Sequence, residues 1–339
     1  MRARGHMTAR RGGASPPRVI LTGLLLCLLG ALWVVPQARA DSFDDWLRSL
    51  RRQAASGGIS EATLQAALTG LHPIADVLDK DRHQPEFTLT FEQYLSKVVT
   101  DQRVADGRAL MRQHADLLRR VGAAFGVQPR FIVALWGVES DYGRITGDYP
   151  VIGALATLAY GSSRPEMFRR ELLDALKIVE SRDVTPAGMT GSWAGAMGQC
   201  QFMPSSYLRY AIDFDGDGRR DIWTSEADVF ASIANYLSSS RWRADQTWGR
   251  PVRLPPAFDS KLIDLKVERS LPQWQRLGIR NADGTALPAA SLRGSLVAPD
   301  GAGGRVYLVY ANFKVIMKWN RSTYFAASVG LLADRIGSG

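Results

Sequence analysis

Cysteine is nearly missing from this 339-residue chain, which holds only Cys27 and Cys200. If Cys27 is lost with a leader, no internal disulfide can form, and stability must come from a packed core. Histidine is scarce too: His6 lies near the start, and His72, His83 and His114 stand far apart, in no ligand spacing. There is no H-E-x-x-H, no Cys/His cluster and no G-x-S-x-G, which removes zinc-protease and serine-hydrolase chemistry from consideration. No internal repeat is visible. A strong charge imbalance is also lacking once the leader is set aside. Six arginines and no acids occupy the first forty residues, so the net charge of +9 falls to +3 for residues 41–339. That is too mild to point to nucleic acid as a partner.

Residues 1–40 read as a secretory signal peptide. Arg2, Arg4, Arg10, Arg11 and Arg18 form a basic leader, Val19 to Val35 is apolar, and Ala38-Arg39-Ala40 is a small-x-small cleavage site. Cys27 follows Leu26, where a lipid-anchored cysteine requires a small residue. The arginine pair at 10–11 lacks the flanking residues of a twin-arginine signal. The expected product is a soluble periplasmic protein, acting as a monomer.

Behind the leader the pattern is helical. Residues 41–125 form an expected N-terminal helical domain, with Phe43, Trp46 and Leu47 on one face and Leu64, Ala67 and Leu68 on another. Residues 126–245 carry further helical runs and form the expected core. From Trp248 the character changes: RPVRLPPAF is proline-rich, and GSLVAPDGAGGRVYLVY reads as two strands about a glycine-rich turn. We take 246–310 as a small β-containing insertion. Helical periodicity returns over 311–339, as a closing helix that completes the core. The fold class is therefore mainly α.

Residues 134–143, ALWGVESDYG, end an apolar run in an acid. Ile132, Leu135, Trp136 and Glu139 share one helix face at i, i+3, i+4, i+7. Pro129 suits the first turn and Gly143 the position past the end, so the spacing predicts a buried helix from about Pro129 to Tyr142. Burial and the negative end of the helix dipole both disfavour a charged Glu139. A buried acid so placed is either paired with an arginine or poised as a general acid, and spacing alone leaves both open.

Two further stretches carry chemistry. DFDGDGRRDIW puts Asp213, Asp215 and Asp217 at positions 1, 3 and 5 of an EF-hand-like loop, with Gly218 at the sharp turn. The Arg219 carbonyl would serve at position 7 and Asp221, through water, at 9. Position 12 is Thr224 where a glutamate is usual, so Asp228 is the candidate last ligand. Three carboxylates this close repel unless a hard cation joins them, which makes Ca²⁺ the expected, structural, cofactor; a solvated acidic turn is the alternative. No organic cofactor is expected. In GMTGSWAGAMGQCQFMPSSY, Ser192, Gln199 and Gln201 offer uncharged hydrogen bonds, and Trp193, Phe202, Met203 and Tyr207 offer apolar faces. Such a mixture suits a sugar, although on these residues alone a plain core is the commoner outcome.

Taken together, ALWGVESDYG, GSWAGAMGQCQFMPSSY, DFDGDG and YANFKVIMKWNRSTYF resemble the lytic murein transglycosylase B family, glycoside hydrolase family 103, in its soluble form. The resemblance implies a lysozyme-like helical core with a helical N-terminal domain and a small β domain. It implies cleavage of the MurNAc–GlcNAc β-1,4 bond of peptidoglycan to a 1,6-anhydromuramoyl product. It implies glycan strands as substrate, with cell-wall synthesis or remodelling proteins as further partners. By position, Glu139 matches the single catalytic acid/base. Ser192, Gln201, Phe202 and Met203 match groove residues, as do Tyr94, Arg164, Tyr236 and Asn320. Asp213, Asp215, Asp217 and Asp228 match the calcium loop. Two positions depart from the family pattern: Cys200 replaces a small residue, and a lone Arg164 stands where two arginines are usual.

The residues agree with that chemistry. Glycoside hydrolases generally need two carboxylates across the bond, and Asp141, two residues from Glu139, faces elsewhere on a helix. One acid suffices if the substrate's own C6 hydroxyl is the nucleophile. A hydrolytic muramidase and a non-catalytic peptidoglycan-binding protein are the rival readings.

Overall fold

The computed structural model describes residues 42–82 and 89–338. The expected leader, with Cys27, and His83 lie outside them. Six helices open the described chain: α1 (Phe43–Ser56), α2 (Glu61–Leu68), α3 (Ala75–Arg82), α4 (Phe91–Val98), α5 (Asp101–Gln113) and α6 (Ala115–Phe125). Four of them begin where a hydroxyl can satisfy a free backbone N–H. Ser42, Ser60, Thr90 and Thr100 each accept from the residue three positions on.

Next comes α7 (Pro129–Ser140), with proline in its first turn. It ends two residues before the expected Tyr142 because Asp141 and Tyr142 both have left-handed backbone, φ 51° and 61°. The Asp141 carboxylate is held in that conformation by Arg103 at 3.0 Å and Arg144 at 2.8 Å. Helices α8 (Val151–Gly161), α9 (Pro165–Glu180), α10 (Pro204–Tyr210) and α11 (Glu226–Ser239) follow, with a two-strand pairing of β1 (Tyr149–Pro150) and β2 (Thr190–Gly191).

The alternating segment after Trp248 forms an antiparallel sheet. Its strands are β3 (Gly249–Arg253), β4 (Arg269–Ser270), β5 (Arg280–Asn281), β6 (Arg293–Val297) and β7 (Val306–Val309), in the order β4-β6-β7-β3-β5. Leu296 pairs with Leu308 and Val252 with Val306. With Leu271 and Trp274 of α12 (Leu271–Arg276) they bury a small core of their own. Helices α13 (Ala311–Trp319) and α14 (Thr323–Gly337) then return to the main core, which runs from Leu50 to Ile336.

The fold is mainly α with a small sheet, as the sequence predicts. At its centre lies α7, packed against α14, α5 and α11. Phe131 through Gly137 are buried without a break, so every face of the helix is used. This burial, worth roughly 1.5–3 kcal/mol for each large apolar side chain, fixes the position of the helix end that carries Glu139.

Candidate active site

Beyond its buried middle, α7 reaches open space again in its last turn. Val138 and Glu139 are part-buried there, between buried Gly137 and Ser140. They line a cleft of about 930 Å³ together with Tyr94 and Val98 of α4 and residues 320–325, which run from the end of α13 into the first turn of α14.

The carboxyl of Glu139 has one polar partner among the described residues. The indole Nε1–H of Trp319 donates to Glu139 Oε1 at 2.6 Å. Among the described residues no arginine, lysine or histidine pairs with it, which argues against the structural-pair explanation left open by the sequence. Loss of hydration dominates and pushes the Glu139 pKa up to about 8, with the indole hydrogen bond pulling the other way. At neutral pH the group is therefore mostly the acid, able to give a proton away. Asp141 is the opposite case. The Arg144 hydrogen bond, aided by Arg103, holds its carboxyl below the usual range. It stays ionised and structural.

Trp319 is itself held from behind. Its ring lies 5.1 Å from Phe202 and 4.6 Å from Tyr236, and Tyr236 in turn packs 4.6 Å from Tyr210. The Tyr236 hydroxyl donates to the Lys318 carbonyl at 2.7 Å, pinning the end of α13.

The residues singled out in the sequence divide into three groups. Glu139, Tyr94 and Asn320 meet on the cleft lining. Phe202 and Tyr236 stand behind Trp319, so Phe202 is core and site support at once. The others do not belong to that lining. Ser192 Oγ accepts from Ala196 N at 3.0 Å within a tight turn. Gln201, with φ 51°, donates to the carbonyls of Thr146 and Gly198. Met203 is half-buried at the start of α10. Arg164 lies 3.8 Å from Asp81 and over the Phe168 ring. Cys200 is buried and donates to the Val229 carbonyl at 3.6 Å, so the unusual residue fits as a small apolar group. Reading the sequence missed Trp319, Arg321 and Tyr324. All three lie in YANFKVIMKWNRSTYF, where Trp319 reads as one more core position.

Asp213, Asp215 and Asp217 converge, each offering an oxygen within 4.8 Å of the others. Gly218, at φ +90°, makes the turn a side chain would strain. This donor set fits a hard cation. The Arg219 guanidinium lies 2.9 Å from Asp217. The other expected ligands are placed differently. Asp221 accepts from the N–H groups of Trp223 and Thr224. Asp228 is fully buried and accepts from Phe214 N and Asp221 N, both at 2.7 Å, so it ties the two ends of the loop together.

Residues 42–334 match the family model described as the transglycosylase SLT domain. The chain belongs to the transglycosylase SLT family. The B-family resemblance read from its motifs is borne out among the relatives of this SLT chain. It is 46% identical to SltB3 of Pseudomonas aeruginosa, solved in complex with NAG-anhNAM-pentapeptide, with a TM-score of 0.86 over 88% of this chain and 80% of that one. It is 29% identical to the Escherichia coli lytic transglycosylase Slt35, solved in complex with calcium, with a TM-score of 0.74 over 86% and 92% of the two chains. It is 34% identical over 252 residues to the membrane-bound lytic murein transglycosylase B of E. coli, covering 72% of this chain. This SLT chain spans 66% of that relative's length.

Proposed function

We propose that this protein is a peptidoglycan lytic transglycosylase that uses Glu139 as its single acid/base. One observation carries the reading: a largely protonated carboxyl at the end of a buried helix is the only acid lining its cleft, among the described residues. Among the described residues, a two-carboxylate hydrolase finds no second group there. The complex of the SltB3 relative with NAG-anhNAM-pentapeptide supports the same chemistry.

Glu139 gives its proton to the leaving O4 as the C1–O4 bond of MurNAc breaks. The C6 hydroxyl of the same sugar closes on C1, and its proton returns to Glu139. A 1,6-anhydro ring forms, no water is consumed, and the acid is restored. Tyr94 and Asn320 are proposed to contact the glycan in the cleft, with Ser192, Gln201, Met203 and Arg164 extending the groove. Phe202 and Tyr236 act through Trp319.

The Asp213, Asp215 and Asp217 carboxylates are proposed to bind a structural Ca²⁺ with the Arg219 carbonyl. The calcium complex of Slt35 supports this. Asp228 braces the loop. Export by the 1–40 leader would place the enzyme in the periplasm, where its substrate lies. Catalysis is assigned to 126–245, with 311–339 closing the site.

The test is Glu139→Gln on purified peptidoglycan. Product release should fall by about 10²–10⁴-fold, the usual worth of a general acid/base, with glycan binding retained. Near-normal turnover would remove Glu139 from the mechanism.

A further inference from the structure

We propose that Trp319 is a positioning residue that fixes which oxygen of Glu139 carries the catalytic proton. The inference rests on Glu139 being the acid/base, and it adds a role for a residue outside the groove set.

An indole ring carries one polar group. Its N–H donates and never accepts. Whatever bonds to it at 2.6 Å must therefore offer a lone pair, whether the carboxyl is charged or neutral. Glu139 Oε1 is that atom, so the acid's proton belongs on Oε2. Oε2 has no hydrogen-bond partner among the described residues, yet it is not sealed from solvent. With Oε1 taken by the indole, Oε2 is the oxygen left for the cleft that Glu139 lines. A free carboxyl would divide its proton between two oxygens and rotate. Here the bond to Trp319 holds the plane, and the rings of Phe202 and Tyr236 hold Trp319.

The same bond serves both half-reactions. In the first, Oε2–H points to where O4 leaves. In the second, Glu139 is an anion without a cationic partner, and a hydrogen bond to a charged oxygen is about twice as strong as a neutral one. Trp319 thus stabilises the state that must collect the C6 hydroxyl proton.

Among the described residues no other group donates to the Glu139 carboxyl. Cys200 behind it is a buried thiol bonded to Val229. His114 faces Trp136. Arg103 is engaged by Asp141, and Arg144 by Asp141 and Asp106. Tyr236 lies beyond the indole. Tyr94, Arg321 and Tyr324 line the cleft without a hydrogen bond to the carboxyl.

The test replaces Trp319 in the full-length protein by phenylalanine and, separately, by 3-benzothienylalanine, which keeps the ring shape but has no N–H. Both should lower kcat by about 10- to 100-fold, as for a lost bond to a charged group, with KM little changed. Both should also move the alkaline limb of the kcat profile upward by about one pH unit, because the anion loses its donor. If the benzothienyl variant keeps the parent kcat and limb, the positioning role is overturned, whatever the phenylalanine variant does. Glu139→Gln is run alongside. Activity in that variant would overturn the catalytic reading itself, while an inactive Glu139→Gln beside a normal benzothienyl variant would overturn only the role of Trp319.

Discussion

The indole of Trp136, one turn before Glu139, donates a 2.8 Å hydrogen bond to Gln199 Oε1. The other end of that amide donates to the Trp223 carbonyl at 2.9 Å, at the exit of the acidic loop. Ser140 Oγ donates to the Gln199 carbonyl at 2.8 Å, and Gln199 N donates to the Ile222 carbonyl at 2.8 Å. A Cβ at Gly143 would collide with the same amide oxygen. One glutamine therefore locks the Glu139 end of α7 to the acidic loop. It is a framework residue, not the sugar-binding one that its neighbours suggest.

Gln199→Leu is accordingly expected to destabilise the protein by about 1–3 kcal/mol, the cost of leaving the buried Trp136 N–H unpaired. Urea unfolding measures it. Activity should drop because the end of α7 loosens, even where the variant is fully folded. A variant as stable and active as the parent would show that the lock is idle.

Calcium should raise the melting temperature, since the three carboxylates converge only in the folded loop. At a free concentration 100 times Kd the gain is about 2.7 kcal/mol. Asp217→Ala should abolish the difference between Ca²⁺ and chelator in a thermal melt. Arg219→Ala keeps the backbone carbonyl and removes a competing cation, so its response should persist or grow. Identical parent melts with and without chelator would leave the loop an acidic turn.

Glu139 should cost stability at neutral and alkaline pH. Its pKa rises on folding, from an ordinary 4.5 to about 8. Below pH 4.5 folded and unfolded chains both hold the proton. Between the two values only the folded chain does, so raising the pH favours unfolding until about pH 8, where the loss levels off. Glutamine at this position does not titrate. Glu139→Gln should therefore melt higher than the parent, by a margin that grows from pH 4.5 to 8. Parallel melting curves across that range would contradict a buried, raised acid.

Much of this fold is legible in the sequence alone. Pro129, the apolar stripe and Gly143 define α7 because they are local signals, and the alternation after Trp248 gives the sheet for the same reason. The exact end of the helix was not legible, since it depends on Arg103 and Arg144 holding Asp141 in a left-handed turn. Nor was Trp319 as the partner of Glu139: 180 residues separate the two, and its spacing in α13 looks like core. Nor were the two backbone N–H groups, of Phe214 and Asp221, that the Asp228 carboxylate accepts from, since they meet it only in the folded loop.

The central claim is that one carboxyl, with no water, breaks the glycosidic bond. It is tested most directly by digesting purified peptidoglycan in water labelled with heavy oxygen and weighing the muropeptides. The products should be lighter than hydrolytic ones by one water, without a reducing end and without label at C1, and Glu139→Gln should release about 10²–10⁴-fold less of them. Labelled, reducible muropeptides would show that water is the nucleophile and contradict that claim.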